Sequence, residues 1–430
     1  MTTLPEEILE PIFRHLELDL RYSGSGTHDE NDTKRRTLAA LCQASKAFYR
    51  LARPILYSTI DVALFLPDQI EALIETLATH PENQVSIKRL ALGELTDNLR
   101  TPPLPPDDEL RKDTIAWARK FGVPDTAMDR TYHGAARDRS ETLGTCLLLH
   151  CRHTQTLEFT APARRIERVI FEPVFGPENT LPHLQTVIMK RPPEGFDGFR
   201  GGLYGLSLLS PFLQTPSLRT LQVHLLWDYP GLPRSSLPKV SWSSQITNIN
   251  LTCTNLSGSS FRGLLERCPM LQSLIVQWGD HTLQDCYVNS YAFGDALRRY
   301  GRGLRQLTLQ TEGHYHLDLY MENEPIPTLL SLRQLTELRE LTVRSTLLLG
   351  APWEDDLEDD AGLDDRRSDD VLSAVLPASI ERIDVHSLLD MEKEKRFLRD
   401  QLLSLKHEHR EAFPALRSVC LNGQVVGERT

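Results

Sequence analysis

The chain has 430 residues, 40% hydrophobic and 25% charged, which is ordinary for a globular protein of two or three units. No stretch approaches the ~20 apolar residues of a membrane-spanning helix, no basic-then-apolar leader opens the chain, and seven scattered cysteines fit free thiols in a reducing compartment, cytoplasm or nucleus. The net charge of −11 is local: residues 354 to 370 (EDDLEDDAGLDDRRSDD) hold ten acids and two arginines, a net of −8, leaving −3 for the rest, so the concentrated positive face that nucleic-acid binding requires is missing.

The first predicted element is LPEEILEPIFRHL, from Leu4. Pro5 suits a first helical turn, where its missing N–H has no partner to lose. Glu6 and Glu7 complement the positive end of the helix dipole. Ile8, Leu9, Ile12, Phe13 and Leu16 fall at helical spacing and form one apolar stripe. Residues 18 to 36, rich in Gly, Ser and charge, read as a loop insertion. Residues 37 to 60 (TLAALCQASKAFYRLARPILYSTI) are helical again, with Leu38, Leu41, Cys42, Ser45, Phe48 and Leu51 recurring at three or four, until Pro54 breaks the run.

Beyond residue 60 a six-residue pattern, apolar-x-x-apolar-x-apolar, recurs ten times. It begins at residues 87, 154, 184, 218, 246, 271, 304, 338, 380 and 416. Of its thirty apolar positions only Thr154 is polar, and after the first interval the spacing stays between 25 and 42 residues. Each motif ends in an alternation such as Leu307-Thr308-Leu309, a short strand with one buried face. Between motifs lie helical segments, among them 68 to 81, 259 to 269, 292 to 301 and 369 to 377. Strand, turn, helix and turn at a near-constant period mean stacked βα units and a parallel sheet, because no unit can bury its apolar face alone. Residues 96 to 142 interrupt the period with a proline-rich stretch and an amphipathic helix (109 to 122). The acidic run is a second interruption, and residues 391 to 411 read as a charged helix with Phe397, Leu398, Leu402 and Leu405 inward.

The alternate side chains of these strands face away from the core. One column contains Gln222, Asn250, Thr308 and Thr342. The next contains His224, Thr252, Gln277, Gln310 and Arg344. Mostly polar and uncharged, these nine are the candidate contacts for a target protein.

The ten motifs resemble the leucine-rich repeat in an irregular form. The family's usual asparagine beyond the last motif leucine is absent, so no continuous asparagine ladder is expected. The fold class implied is α/β: a small N-terminal helical module (1–60), then a repeat domain (61–430) with short parallel strands on a concave face and helices on the convex one. The N-terminal stretch closely resembles the F-box as it appears in fungal proteins. The match runs through Leu4-Pro5, Glu7-Ile8-Leu9, Ile12-Phe13, Leu16, Leu38, Leu41, Ser45-Lys46, Phe48, Leu51-Ala52-Arg53-Pro54 and Leu56-Tyr57. It departs in the long insertion and at Gln43-Ala44, where the family commonly has larger apolar residues. The resemblance implies docking on the Skp adaptor of a Skp–cullin–F-box ubiquitin ligase and, through it, on cullin. It assigns the adaptor contacts to Leu4, Pro5, Ile8, Leu9, Ile12, Phe13, Leu41, Ser45 and Lys46.

No residue set points to chemistry. CLLLHCRH (146 to 153) clusters two cysteines and two histidines where a helix end should lie, which reads as core and not as zinc. His314 and His316 lack acidic or thiol neighbours. The glycine-rich stretch 195 to 205 lacks the strand–turn–helix setting of a dinucleotide site, and there is no nucleophile elbow or HExxH. The expectation is a non-catalytic recognition subunit with no cofactor and no metal. The alternative is a scaffold with the same modules but no ubiquitin transfer.

Overall fold

The computed structural model describes residues 5–17, 25–62, 65, 67–94, 119, 139–160, 181–190, 206–224, 226, 243–254, 256–279, 290–311, 329, 331–349, 371–387 and 392–427. Leu4, the helix expected at 109–122 (Arg119 apart), the stretches 195–205 and 313–319, and the acidic run 354–370 lie outside them. The chain divides into two compact units, residues 1–202 and 203–430.

The first unit opens with three helices, α1 (Glu6–Arg14), α2 (Ser25–Ala44) and α3 (Lys46–Ser58). The α2 helix begins at Ser25, inside the stretch expected as a loop. Acid-then-base pairs one turn apart support it: Glu30 with Lys34 (2.8 Å) and Asp32 with Arg36 (2.7 Å). Ser45 caps α3, its hydroxyl accepting from the Phe48 N–H at 3.1 Å. The α3 helix runs through Pro54. A proline there forfeits the bond to the Arg50 carbonyl but does not stop a helix held by packing on both sides. The three helices share a core of Phe13, Leu38 and Ala52, ringed by Leu16, Leu41, Cys42, Phe48, Leu51, Ile55 and Leu56.

The α3 helix leads directly into β1 (Thr59–Asp61). Next come α4 (Pro67–Thr79), α5 (Pro81–Gln84), β2 (Arg89–Glu94), α6 (Arg139–His150), β3 (Thr156–Thr160) and β4 (Thr186–Lys190). The strands pair in chain order, all parallel. The helical module is fastened to the first repeat as well as joined to it. Arg53 on α3 donates from Nε to Asn83 Oδ1 and from Nη2 to Glu82 Oε1, both at 2.7 Å.

The second unit runs from a 3₁₀ turn (Leu206–Leu209) and α7 (Ser210–Leu213) to β5 (Thr220–His224) and β6 (Asn248–Thr254). It continues through α8 (Gly258–Arg267), β7 (Ser273–Trp278), α9 (Ser290–Tyr300), β8 (Gln306–Thr311) and β9 (Glu340–Arg344). It ends with α10 (Ser345–Leu349), α11 (Val371–Val375), β10 (Arg382–His386), α12 (Glu392–His407), β11 (Ser418–Leu421) and β12 (Gln424–Val425). From β5 to β11 each strand is parallel to the next. The short β12 turns back antiparallel on β11. Its two-residue turn is Asn422-Gly423, both at positive φ (52° and 78°), the conformation that favours an Asn-Gly pair in a hairpin.

All ten sequence motifs carry a strand. Every apolar motif position is buried except Leu416, which is half-buried. Main-chain bonds tie successive repeats together just before each strand. The carbonyl of the second motif residue accepts two N–H groups from the following repeat: Lys88 from Gln155 and Thr156, Gln272 from Arg305 and Gln306, Arg339 from Glu381 and Arg382. The same pair of bonds recurs at Gln155, Arg219, Thr247, Arg305 and Glu381. Repeat length can therefore vary without loss of register.

Two positions test the packing. Thr154 fills a leucine slot, fully buried, and its hydroxyl has no hydrogen-bond partner among the described residues. Thr154→Val should stabilise the first unit by about 1 kcal/mol, by relieving an unpaired buried hydroxyl, read as a higher denaturation midpoint. In α9, Phe293 stacks on Phe261 (4.1 Å between centroids) and meets the edge of Trp278 (5.1 Å). The adjacent Gly294 lies so close to Leu329 that an added Cβ would stand 2.0 Å from its carbonyl oxygen. Ala ordinarily improves a helix interior by about 1 kcal/mol over Gly. Here Gly294→Ala should instead destabilise the second unit by about 1–3 kcal/mol, as overpacking against a fixed backbone does, seen as a lower melting transition.

Candidate functional site

Two candidate surfaces stand out, one in each unit. The first is built on α1. Its apolar stripe divides between the chain's own core and the surface. Phe13, 5% exposed, turns inward and sets its ring edge-on to Phe48 (5.5 Å between centroids, 81° between planes). Ile8 and Ile12 are 49% and 51% exposed, and as an i, i+4 pair they are adjacent on the helix. Pro5 and Pro11 are exposed and Leu9 is half-buried. An ion pair between Glu6 on α1 and Arg50 on α3 brings the first turn of α1 beside the start of α3.

Of the nine sequence-assigned adaptor contacts, Pro5, Ile8, Ile12, Ser45 and Lys46 are exposed, and Leu9 and Leu41 are half-buried. Phe13 belongs to the chain's own core and offers a partner no ring surface. Leu41 packs against the same core, and the Ser45 hydroxyl is engaged as a cap.

The second surface is the strand face of the second unit. All nine candidate target contacts lie there, each half-buried. Their middle column is continuous in register: Gln222 opposite Asn250, then Ile275, Thr308, Thr342, Asp384 and Cys420. The other column is not. Cys253 takes a positive φ of 50°, and the pairing of β6 with β7 slips between Leu251 and Thr254. The slip parts His224 with Thr252 from Gln277 with Gln310, and the pairing of β8 with β9 ends at Leu309 opposite Val343, which leaves Arg344 with His386. His224 Nδ1 and Thr252 Oγ1 are 2.8 Å apart. The buried Oδ1 of Asn250 has no donor among the described residues.

The charges on this face are satisfied from within. Arg344 donates to the carbonyls of Thr311 (3.0 Å) and Ser387 (3.2 Å), and burial lowers its pKa from the ordinary arginine value. Asp384 accepts from the Gly423 N–H at 3.0 Å and lies 3.6 Å from the His386 ring. Burial pushes its carboxyl up, but His386 and the Gly423 N–H together hold it below the usual aspartate value. In the first unit Glu158 is likewise clamped between Arg89 (3.0 Å) and Lys190. Asp384 and His386 share the face with the candidate set, although the sequence did not single them out. Their i, i+2 spacing on a motif strand was the available signal.

Cys146 and Cys151 are fully buried, and burial pushes both thiols up, Cys146 to about 12. Protonated and enclosed, they serve as core. Among the described residues no group of three or more His, Cys, Asp or Glu could hold a metal ion, and no helix is long and apolar enough to cross a membrane.

No protein-family model matches the sequence, and a search of curated proteins returns no match. Among solved structures, an internalin (inlF) from Listeria monocytogenes str. 4b F2365 is similar over 76% of this chain and 86% of its own, at 12% identity and a TM-score of 0.30. A likeness of that size carries no argument. The fold assignment rests on the strand pairing itself, a stack of parallel βα repeats in each unit.

Proposed function

We propose that the chain is the target-recognition subunit of a Skp–cullin–F-box ubiquitin ligase, with residues 1–60 docking on the Skp adaptor and the repeats of 61–430 binding a target protein. The observation that carries this reading is the pair Ile8 and Ile12, half exposed on a helix whose other side is already filled. The three-helix core is satisfied without them, so their burial is left to another molecule. Removing apolar surface from water contributes roughly 25 cal/mol per Å². That favours a partner with its own apolar groove over one recognised by charge.

The strand face of the second unit supports the other half of the reading. A broad, half-buried row of amides and hydroxyls, with its charges already paired, suits a protein surface better than a small charged metabolite. The chain would contribute no catalytic group. Holding a target beside the charged ubiquitin carrier raises effective concentration, and the carrier supplies the chemistry. One feature counts against adaptor docking in either form, ligase or scaffold. Gln43 and Ala44, both exposed, stand where the F-box commonly has larger apolar residues, which reduces the surface available to hold an adaptor.

The test is reconstitution of the full-length chain with purified Skp adaptor and cullin, followed by gel filtration. Co-elution of all three supports the ligase. Adaptor without cullin supports the scaffold, and failure to retain the adaptor rejects both.

A further inference from the structure

The exposed cations of the second unit share one chemistry. The sequence holds 38 arginines but only ten lysines. Among described side chains of the second unit twelve arginines are exposed and no lysine is; Lys395 and Lys406 are half-buried. Some of these arginines use the guanidinium to donate to main-chain carbonyls. Arg219 donates to the carbonyls of Pro216 and Leu218, both at 2.9 Å, and Arg333 donates to that of Ser373 at 2.9 Å. Arg302, Arg396, Arg399 and Arg410 do not. Each is exposed and makes no hydrogen bond or ion pair among the described residues. For solubility and charge a lysine would serve equally well at those four positions.

The two cations differ as nucleophiles. Ubiquitin transfer requires a lysine Nζ to lose a proton to solvent and attack the thioester carbonyl of the carrier. A C–N amide bond forms, the C–S bond breaks, and the carrier cysteine leaves as thiolate. Arginine stays protonated throughout the accessible pH range, with its charge delocalised over the fork, and cannot make that attack.

We propose that the described surface of the second unit carries its positive charge in a form that accepts no ubiquitin, so that a ligase assembled on this chain spares that surface of its own recognition subunit. The ubiquitin half of this proposal rests on the function proposed above. The first unit narrows the acceptors further. Lys34 and Lys190 are ion-paired with Glu30 and Glu158. Lys46 and Lys88 are exposed, and Lys46 belongs to the surface assigned to the adaptor. Among the described residues Lys88 is the acceptor that remains.

The test compares the wild-type full-length chain with an Arg302→Lys/Arg396→Lys/Arg399→Lys variant, each mixed with Skp adaptor, cullin and charged ubiquitin carrier. Adaptor retention is measured in the same preparation, and modified lysines are mapped as diglycine-bearing peptides. In parallel, an N-hydroxysuccinimide ester is applied to each chain alone to map reactive amines without any partner. The expected result is no diglycine on Lys395 or Lys406 in the wild type, and gain of diglycine and of ester label at the introduced lysines. Wild-type modification at Lys395 or Lys406 would overturn the proposal. So would introduced lysines that take the ester but no ubiquitin while the adaptor is retained, since arginine chemistry would then not be the protection. Introduced lysines that fail to take the ester overturn it as well. If neither chain retains the adaptor, the ligase reading fails and the self-sparing role fails with it, while the ester map still decides the acceptor chemistry.

Discussion

Replacing Ile8 and Ile12 together with glutamine is expected to weaken capture of the Skp adaptor about 100-fold or more. Each isoleucine is half exposed in the chain alone, so the part each can still bury on docking is worth about 1 kcal/mol or somewhat more. A glutamine placed in the same apolar groove adds an unpaired amide, costing about 1–3 kcal/mol. Glutamine is nearly as good a helix former as leucine and adds no charge, so α1 should remain intact beside Glu6, Glu7 and Glu10. Immobilised adaptor titrated with each chain checks the loss, and circular dichroism checks that helix content is unchanged. Full retention of the adaptor by the double variant would mean that another surface docks.

Phe13→Ala should instead cost about 3–5 kcal/mol of folding stability, the usual range for truncating a buried phenylalanine. The ring is 5% exposed and meets Phe48 edge-on, and with Leu38 and Ala52 it makes up the buried centre of the helical core among the described residues. So small a core has little margin. The expected result is fast hydrogen exchange throughout α1, α2 and α3 even without a partner, with the repeats of the second unit unchanged. Adaptor binding would fall too, because the docking helix loses its support. The two variants separate docking from folding: the isoleucine pair loses the partner and keeps protection, whereas Phe13→Ala loses both. Normal protection in Phe13→Ala would show that the cluster does not organise the module.

Much of the repeat stack was legible because one signal, the apolar spacing at 0, 3 and 5, combines a buried turn position with a strand. Thr154 could break the spelling without breaking the strand, since its neighbours Leu157 and Phe159 still occupied their slots. The local departures have separate physical causes. Glycine and serine at 23 to 26 drew the reading of a loop, although the i, i+4 spacing of Glu30-Lys34 and Asp32-Arg36 already favoured the helix that begins at Ser25. The bulge at Cys253 left no mark, because a non-glycine residue forced to positive φ is a tertiary outcome. The Asn422-Gly423 turn was a visible hairpin signal, overshadowed by the motif just before it. On α1 the periodicity located the stripe but not which part faces home. Phe13 lies about 100° around the axis from Ile12, and only the position of Phe48 decides which of them is covered.

The central claim is that the uncovered side of α1 docks on a Skp adaptor while the strand face of the second unit stays free for a target. Hydrogen–deuterium exchange of the full-length chain with and without purified adaptor tests it most directly. The account predicts slowed exchange in α1 and the first turns of α3 and unchanged exchange in β5 through β10. Unaltered exchange in α1 at saturating adaptor, or protection confined to the repeats, would contradict it.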